Sequence, residues 1–243
     1  MKKIILSTIA LSALVFAADE VKNPLVTHTE LSYIQTTGNT QTESLAAELA
    51  LKKAFDAHKL RLDADAYYSK EEQADGVTRE SKNKWSATGN YDYDITKMFA
   101  FNYGVNYKQD KFSGFDNQFN TGPGVVVHAV KNDAHVLNFQ ANVLYSRDDI
   151  DTTPDKVDEY SAGYAGFEYS WQVVESLKFI QNASYKNSFE DSENYFVLSK
   201  TALESKISDI FSMGVSYKVD YKNLKQAQYY SDNTLLVSLI IDY

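Results

Sequence analysis

The chain has 243 residues, of which 24 are Lys or Arg and 33 are Asp or Glu, so its formal net charge is −9. This acidic balance argues against a nucleic-acid partner, because phosphate backbones bind clusters of basic side chains. The chain has no Cys, which excludes disulfides, a lipidated Cys and thiol chemistry.

The segment 1–17 has the composition of a secretory signal peptide. Lys2 and Lys3 form a basic start, residues 4–16 are largely apolar, and residues 15–17 fit a small-residue cleavage site. We therefore predict an exported protein whose mature domain spans 18–243. Without the two leader lysines, 22 basic side chains face 33 acidic ones, a net charge of −11. No later run reaches the roughly 18 apolar residues that a membrane-spanning helix needs.

From Thr27 onward, apolar and polar side chains alternate with a period of two, which is typical of β-strands. The clearest alternation is in residues 99–108. One face holds Phe99, Phe101, Tyr103, Val105 and Tyr107, and the other holds Ala100, Asn102, Gly104, Asn106 and Lys108. An apolar face opposite a small and polar face predicts a wall with lipid outside and a polar interior.

About 12 such segments follow one another, each long enough to cross a bilayer when tilted. Short connections centre on Ala54, Thr96, Asn132, Val174 and Ser208, and longer ones run through Asp75, Gly114, Thr153, Asp191 and Lys225. The connection at Gly38 is a short exception. We predict an all-β fold, an up-and-down antiparallel transmembrane β-barrel, whose even strand number puts both termini in the periplasm.

Residues 234–243 alternate strictly and end on the aromatic Tyr243. This is expected of the last strand of an outer-membrane barrel, and the last strand of a soluble sandwich is the alternative. Because unpaired backbone groups are costly in hydrocarbon, the first strand must pair with the last. We therefore predict that residues 27–34 pair with residues 234–243.

A family resemblance rests on turn and strand motifs. They are residues 30–33, 37–40 and 44–45, then 107–116 with 122–124, and later Glu204 with Ser208 and Asp209. Together they resemble the salt-induced outer-membrane protein family, a group with a domain of unknown function. Ser32 stands where the family pattern has Gly, and Pro123 interrupts a Gly-rich stretch. The resemblance implies an outer-membrane β-barrel associated with salt response, and it says little about chemistry.

Aromatic side chains cluster beside the predicted short turns and near the long loops, as in the two girdles of a membrane barrel. The predicted membrane anchors on the short-turn side are Tyr91, Tyr93, Phe99, Phe101, Trp171 and Tyr243.

The predicted interior faces carry charges of both signs. They include Lys52 and Lys200 and the lumen-facing candidates Arg61, Asp63, Asp65, Lys84, Glu168, Lys178, Lys186, Glu204 and Lys218. A strongly selective pore would favour one sign, so the mixture first predicts a hydrogen-bonded, salt-bridged interior. A barrel of about 12 strands lies between filled 8-stranded barrels and open 16-stranded porins, so its lumen is narrow at best.

Candidate chemistry is sparse. The four histidines, His28, His58, His128 and His135, have no paired metal spacing, and we expect no catalytic residue and no cofactor. The acidic segment 148–159 is the best ligand candidate. Its carboxylates Asp148, Asp149, Asp151 and Asp155 could hold Ca²⁺ or Mg²⁺, although the segment lacks the EF-hand spacing. A solvated acidic loop is the alternative.

Two function classes stay open. The first is a non-enzymatic envelope protein tied to salt or osmotic adaptation, with a narrow passive channel for ions or small solutes. The second is a receptor, adhesin or enzyme whose site lies in the external loops. In either case we expect a monomer in the outer membrane. Its expected partners are membrane lipid, lipopolysaccharide and the barrel-insertion machinery, which would read the C-terminal strand.

Overall fold

The computed structural model describes residues 24–36, 41–73, 75–151, 156–223 and 231–243, and the predicted signal peptide lies outside them. The strands are β1 (Val26–Thr36), β2 (Thr42–Phe55), β3 (His58–Glu72), β4 (Thr78–Asp94), β5 (Phe99–Asp110), β6 (Phe115–Lys131), β7 (His135–Ile150), β8 (Lys156–Val174), β9 (Leu177–Ser188), β10 (Tyr195–Lys206), β11 (Phe211–Asn223) and β12 (Ser231–Asp242). In the described ranges, no helix is long and apolar enough to cross a membrane.

The strands form one closed antiparallel barrel in which each strand pairs with its sequence neighbours and β1 pairs with β12. The closing register runs from His28 opposite Asp242 to Ser32 opposite Ser238. Backbone hydrogen bonds between Thr27 and Tyr243, of 2.6 and 3.0 Å, extend it by one position. The predicted fold class, strand number and ring closure are therefore confirmed. Because the strand number is even, the start of β1 and the end of β12 both lie on the side of the short turns.

Alternate side chains of the wall meet opposite environments. On β12, Leu235 and Val237 are 58% and 47% exposed, whereas Leu236 and Ser238, which alternate with them, are 3% and 2% exposed. Successive side chains of a strand point to opposite faces, so the exposed set lies on the outer surface and the buried set points inward. The outer surface of the barrel is consequently apolar over much of its height, and the interior is mainly polar and ionic.

Several strands run further than the alternation predicted. Most of the segment 148–159, expected to be a loop, is strand, because β7 continues to Ile150 and β8 begins at Lys156. Where a strand passes beyond the apolar band, both faces meet water, so the hydrophobic alternation disappears although backbone pairing continues. The connections on the two sides therefore differ less than expected, with two to four residues on one side and four to seven on the other.

The Gly122–Pro123–Gly124 segment of β6 is in very close contact with β7. A Cβ on Gly122 would lie 2.0 Å from the carbonyl oxygen of Val143, and one on Gly124 would lie 2.3 Å from that of Ala141. Pro123 pairs with β5, while the β6–β7 register passes directly from Thr121 to Gly124. Proline has no N–H to donate, so it suits this interruption of the ladder.

Candidate functional site in the barrel interior

An ion pair joins opposite walls of the barrel. Lys108 Nζ on β5 lies 2.9 Å from Asp220 Oδ2 on β11. In the ring of twelve strands, β5 and β11 are six positions apart in either direction, so they face each other across the interior. Lys222 Nζ and Asp110 Oδ2 join the same two strands at 3.7 Å, and Lys84 Nζ on β4 lies 3.7 Å from Asp220. We call these five side chains, Lys84, Lys108, Asp110, Asp220 and Lys222, the ionic bar.

The ionic bar follows from strand parity. Lys108 and Asp110 continue the inward set of β5 to which the buried Asn102 belongs, and Asp220 and Lys222 continue the inward set of β11. The Asp110 and Lys222 side chains are both only 7% exposed. Charges are rarely buried unless they are paired, and the low local dielectric strengthens the pairing. At this level the interior is thus spanned by side chains.

A second network ties β11 to three further strands, β1, β2 and β10. Lys200 Nζ on β10 lies 2.5 Å from Glu30 Oε1 on β1 and 2.9 Å from Glu48 Oε2 on β2, and Lys218 on β11 also contacts Glu48. Since β10 is not a neighbour of β1 or β2, these bonds cross the interior as chords of the ring. They support the barrel wall on the side where β1 and β12 close it.

The structure gives every lumen-facing candidate an interior partner. Arg61 pairs with Asp63 at 2.6 Å and with Glu168 on the far side, Lys178 pairs with Glu204 at 3.3 Å, Asp65 accepts from Ser86 at 2.5 Å, Lys186 donates to Asn120 at 2.9 Å, Lys84 faces Asp220 and Lys218 contacts Glu48. Seven of the nine charges therefore contact an opposite charge, and Asp65 and Lys186 bond to neutral polar groups.

Solvent accessibility varies within the interior. On the short-turn side, the Glu168 and Lys178 side chains keep 46% and 39% of their surface accessible, although both point inward. Glu204 on the same side is only 9% exposed. The side chains of the ionic bar, toward the long loops, are between 7% and 20% exposed. The charges around Glu168 and Lys178 are therefore more accessible to solvent than those of the ionic bar.

Aromatic side chains add to the filling near the long loops. Lys186 Nζ lies 4.4 Å from the centre of the Phe196 ring and donates a 3.0 Å hydrogen bond to the Tyr160 hydroxyl. Tyr160 in turn donates to Asp148 Oδ2 at 2.8 Å. An ammonium group over an aromatic face is stabilised by the ring quadrupole, most strongly where water is excluded.

One group of potential metal ligands exists among the described residues. Donor atoms of His28, Glu30 and Glu204 all lie within 4.8 Å of one another. However, Lys200 Nζ lies 2.5 Å from Glu30 Oε1, and Lys178 Nζ lies 3.3 Å from Glu204 Oε2, so both carboxylates already have ammonium counter-ions. His28 Nδ1 lies 2.6 Å from Asp242 Oδ1, and the group accordingly joins β1, β10 and β12.

The acidic segment does not gather its carboxylates at one point. Asp148 is 2% exposed, points inward and accepts hydrogen bonds from Gln118 and Tyr160, which corrects its predicted place in a loop. Asp149 follows it on the outer face and pairs with Arg147 at 3.2 Å. Asp151 is exposed beyond β7, and Asp155 lies outside the described residues. A cation site in this segment stays a prediction.

The predicted anchors lie around the short-turn end of the outer surface. Tyr93, Phe99, Phe101, Trp171 and Tyr243 are exposed there, and the partly buried Tyr91 holds its hydroxyl 2.7 Å from His58 Nδ1. His58 stacks between aromatic rings of β2 and β4, and His135 stacks on Tyr169 and Trp171. His58 and His135 therefore belong to the clusters of aromatic side chains at the short-turn end of the outer surface.

Sequence reasoning missed most of the ionic bar. Asp110 and Asp220 fall at the edges of the predicted long connections through Gly114 and Lys225, although apolar and polar side chains still alternate from Val215 to Lys222. The signal that would have found them is parity, since counting by twos from Asn106 reaches Lys108 and Asp110, and from Lys218 reaches Asp220 and Lys222.

The chain is similar to several known proteins. The chain is 22% identical over 212 residues to the uncharacterized protein YdiY of Escherichia coli (strain K12), with 83% of this chain and 76% of YdiY covered. It is similar in fold to an outer membrane channel from Pseudomonas putida F1, with a TM-score of 0.51, 8% identity, and 90% and 93% of the two chains covered. The translocator domain of the autotransporter NalP from Neisseria meningitidis gives 0.49 at 8% identity, with 90% and 87% covered.

The family model described as "Protein of unknown function, DUF481" matches residues 29–243, which is nearly the whole barrel. The chain therefore belongs to the DUF481 family.

Proposed function

We propose that this protein is a non-enzymatic outer-membrane β-barrel whose interior is a narrow passage for ions and small hydrophilic solutes. The apolar outer surface supports a membrane location. The closed sheet supports it as well, because closure lets every backbone group of the wall be paired, as hydrocarbon requires. The ionic interior supports a hydrated passage, because the interior of a channel-forming membrane barrel is polar.

The observation that carries the proposal is the ionic bar that spans the polar interior. Lys108 and Asp220 meet at 2.9 Å across the full width of the ring. A solute that crosses the interior must pass beside these paired charges of both signs, so only small solutes are admitted and selectivity by charge is modest. In this view, the bar sets the size of the passage, and the other networks hold the wall.

The remaining parts of the proposal concern the cell. Segment 1–17 directs export, β12 carries the signal for the barrel-insertion machinery, and the barrel stands as a monomer among lipid and lipopolysaccharide with its short turns in the periplasm. The resemblance in residues 30–45 and 107–116 supports a role in salt adaptation. A deletion strain should then grow more slowly than its parent at high salt only, and equal growth at every salt concentration would remove this role.

Planar-bilayer conductance tests the passage. The purified barrel should give small discrete steps. The double variant Lys108→Ala with Asp220→Ala should give steps larger by about twofold or more, because removing the bar widens the constriction. The matched control is Asp75→Ala with Arg79→Ala, which removes an exposed 2.6 Å ion pair between the β3–β4 connection and the start of β4 and should leave the steps unchanged. A folded parent and a folded double variant that are both silent would show that the interior does not conduct.

A further inference from the structure

A recess opens at the short-turn end of the barrel, away from the ionic bar. It has a volume of about 470 Å³ and is lined by Lys59, Asp94, Lys97, Met98, His128 and Lys131. These residues come from the start of β3, the end of β4, the turn that follows it, and the end of β6. Three separate strand ends therefore contribute to one concave surface, which we call the mouth recess.

The floor of the mouth recess is held by hydrogen bonds. Lys59 Nζ lies 2.7 Å from Asp94 Oδ2 and 3.3 Å from His128 Nε2. His128 Nδ1 lies 2.8 Å from Asn138 Oδ1, and its Nε2 also lies 3.4 Å from Asp94 Oδ1, so Lys59, Asp94 and His128 form one connected cluster. The backbone N–H of His128 donates to the carbonyl of Met98 at 2.8 Å, which fixes the turn over β6.

The rim of the mouth recess carries charge without counter-ions. Lys97 and Lys131 are exposed, and within the described part of the chain neither has an ion-pair or hydrogen-bond partner. Among the Lys and Asp side chains that line the recess, three ammonium groups face a single carboxylate, an excess of two positive charges. The whole chain has a net charge of −9 and would not by itself attract anions. The positive recess is therefore a local exception to the charge of the chain.

We infer that the mouth recess binds a small oxyanion, a phosphate or a carboxylate. Ammonium groups are strongly hydrated point charges that bind phosphate and carboxylate oxygens from several directions. The volume lies within the range of roughly 300–1,000 Å³ that is common for small-molecule sites. The inference deepens the proposed function and rests on it in one respect, since the site would concentrate small anions at one entrance of the passage.

The test is calorimetric titration of the folded barrel in a non-ionic detergent, first with inorganic phosphate and separately with succinate. The parent should bind with one-site behaviour. Lys97→Gln with Lys131→Gln should weaken binding about tenfold or more, because it removes both unpaired charges. Lys53→Gln with Lys156→Gln is the matched control, since both lysines are exposed outside the recess, and it should bind as the parent does. Asp94→Asn should bind more tightly, because it removes the one repelling carboxylate.

Each outcome is decisive for the inference. A parent that binds neither anion, or equal affinities in the parent and the Lys97/Lys131 variant, would overturn it. Binding of phosphate alone or succinate alone would identify which oxyanion the recess prefers. Because the titration needs no conductance, a barrel that conducts without binding anions refutes only the recess, and one that binds anions but stays silent in bilayers refutes only the passage.

Discussion

Single charged residues in this barrel act as connectors between strands that are distant in sequence. Lys200 joins Glu30 and Glu48, which lie 170 and 152 positions away along the chain. Glu30 is 5% exposed, so its charge depends on its partners rather than on solvent. Removing one member of a buried ion pair leaves an uncompensated charge, and this costs more than the pair itself contributes.

Lys200→Met should therefore destabilise the barrel by about 3 kcal/mol, since it leaves two inward carboxylates with fewer counter-charges. Equilibrium unfolding in urea, followed by the fluorescence of Trp85 and Trp171, measures this loss. Lys156→Met, at an exposed position without a partner among the described residues, should change the free energy of unfolding little. Adding Glu30→Gln to Lys200→Met should recover part of the loss, and the absence of any loss in the single variant would show that Lys200 is not a structural connector.

At the scale of the strands, the seam between β1 and β12 decides whether the sheet is a barrel. Its ladder covers five positions, from His28 to Ser32, whereas β1 and β2 pair over eleven. Inside the seam, the Ser32 and Ser238 hydroxyls are 2.7 Å apart. A slip of one residue would turn every inward side chain of β12 outward, so the register is strongly specified by the two different faces.

Cysteines introduced at Leu31 and Leu239 test this register, because the native chain has no Cys to compete. Residues directly opposite in an antiparallel pair have Cβ atoms about 4.5–5.5 Å apart, close enough for oxidation to link them with a small adjustment. The linked product should migrate faster than the open chain on a non-reducing gel after boiling. Leu31 with Leu235 is the control and should link poorly, and comparable yields for the two pairs would contradict the closing register.

For the molecule as a whole, the question is whether lipid or water covers the apolar outer surface, and two outward-facing positions at different heights can answer it. Val143 lies in the middle of β7 and is 58% exposed, and Val157 near the long-loop end of β8 is 49% exposed. Both side chains project from the outer surface, at different heights. If hydrocarbon surrounds the barrel, a charge at the first position must be far more costly than a charge at the second.

Val143→Lys should lower the stability of the barrel in lipid vesicles by about 2–4 kcal/mol, and Val157→Lys by about 0–1 kcal/mol, since the cost of a charge depends on its depth in the bilayer. Urea unfolding of vesicle-inserted protein gives both values. Two variants as stable as the parent would indicate that water, and not lipid, covers the outer surface.

The alternation along the chain is enough to predict the strands, their inward and outward faces and the need for closure, because a period of two is a local property that survives without knowledge of neighbours. The extents of β7 and β8 differ from the prediction, because strand ends in water lose their alternation while their backbone pairing continues. Which inward charges meet depends on the closed ring. Lys108 and Asp220 are 112 residues apart, and the order and curvature of the ring bring them together. The mouth recess likewise depends on three strand ends converging, which no single stretch of the chain encodes.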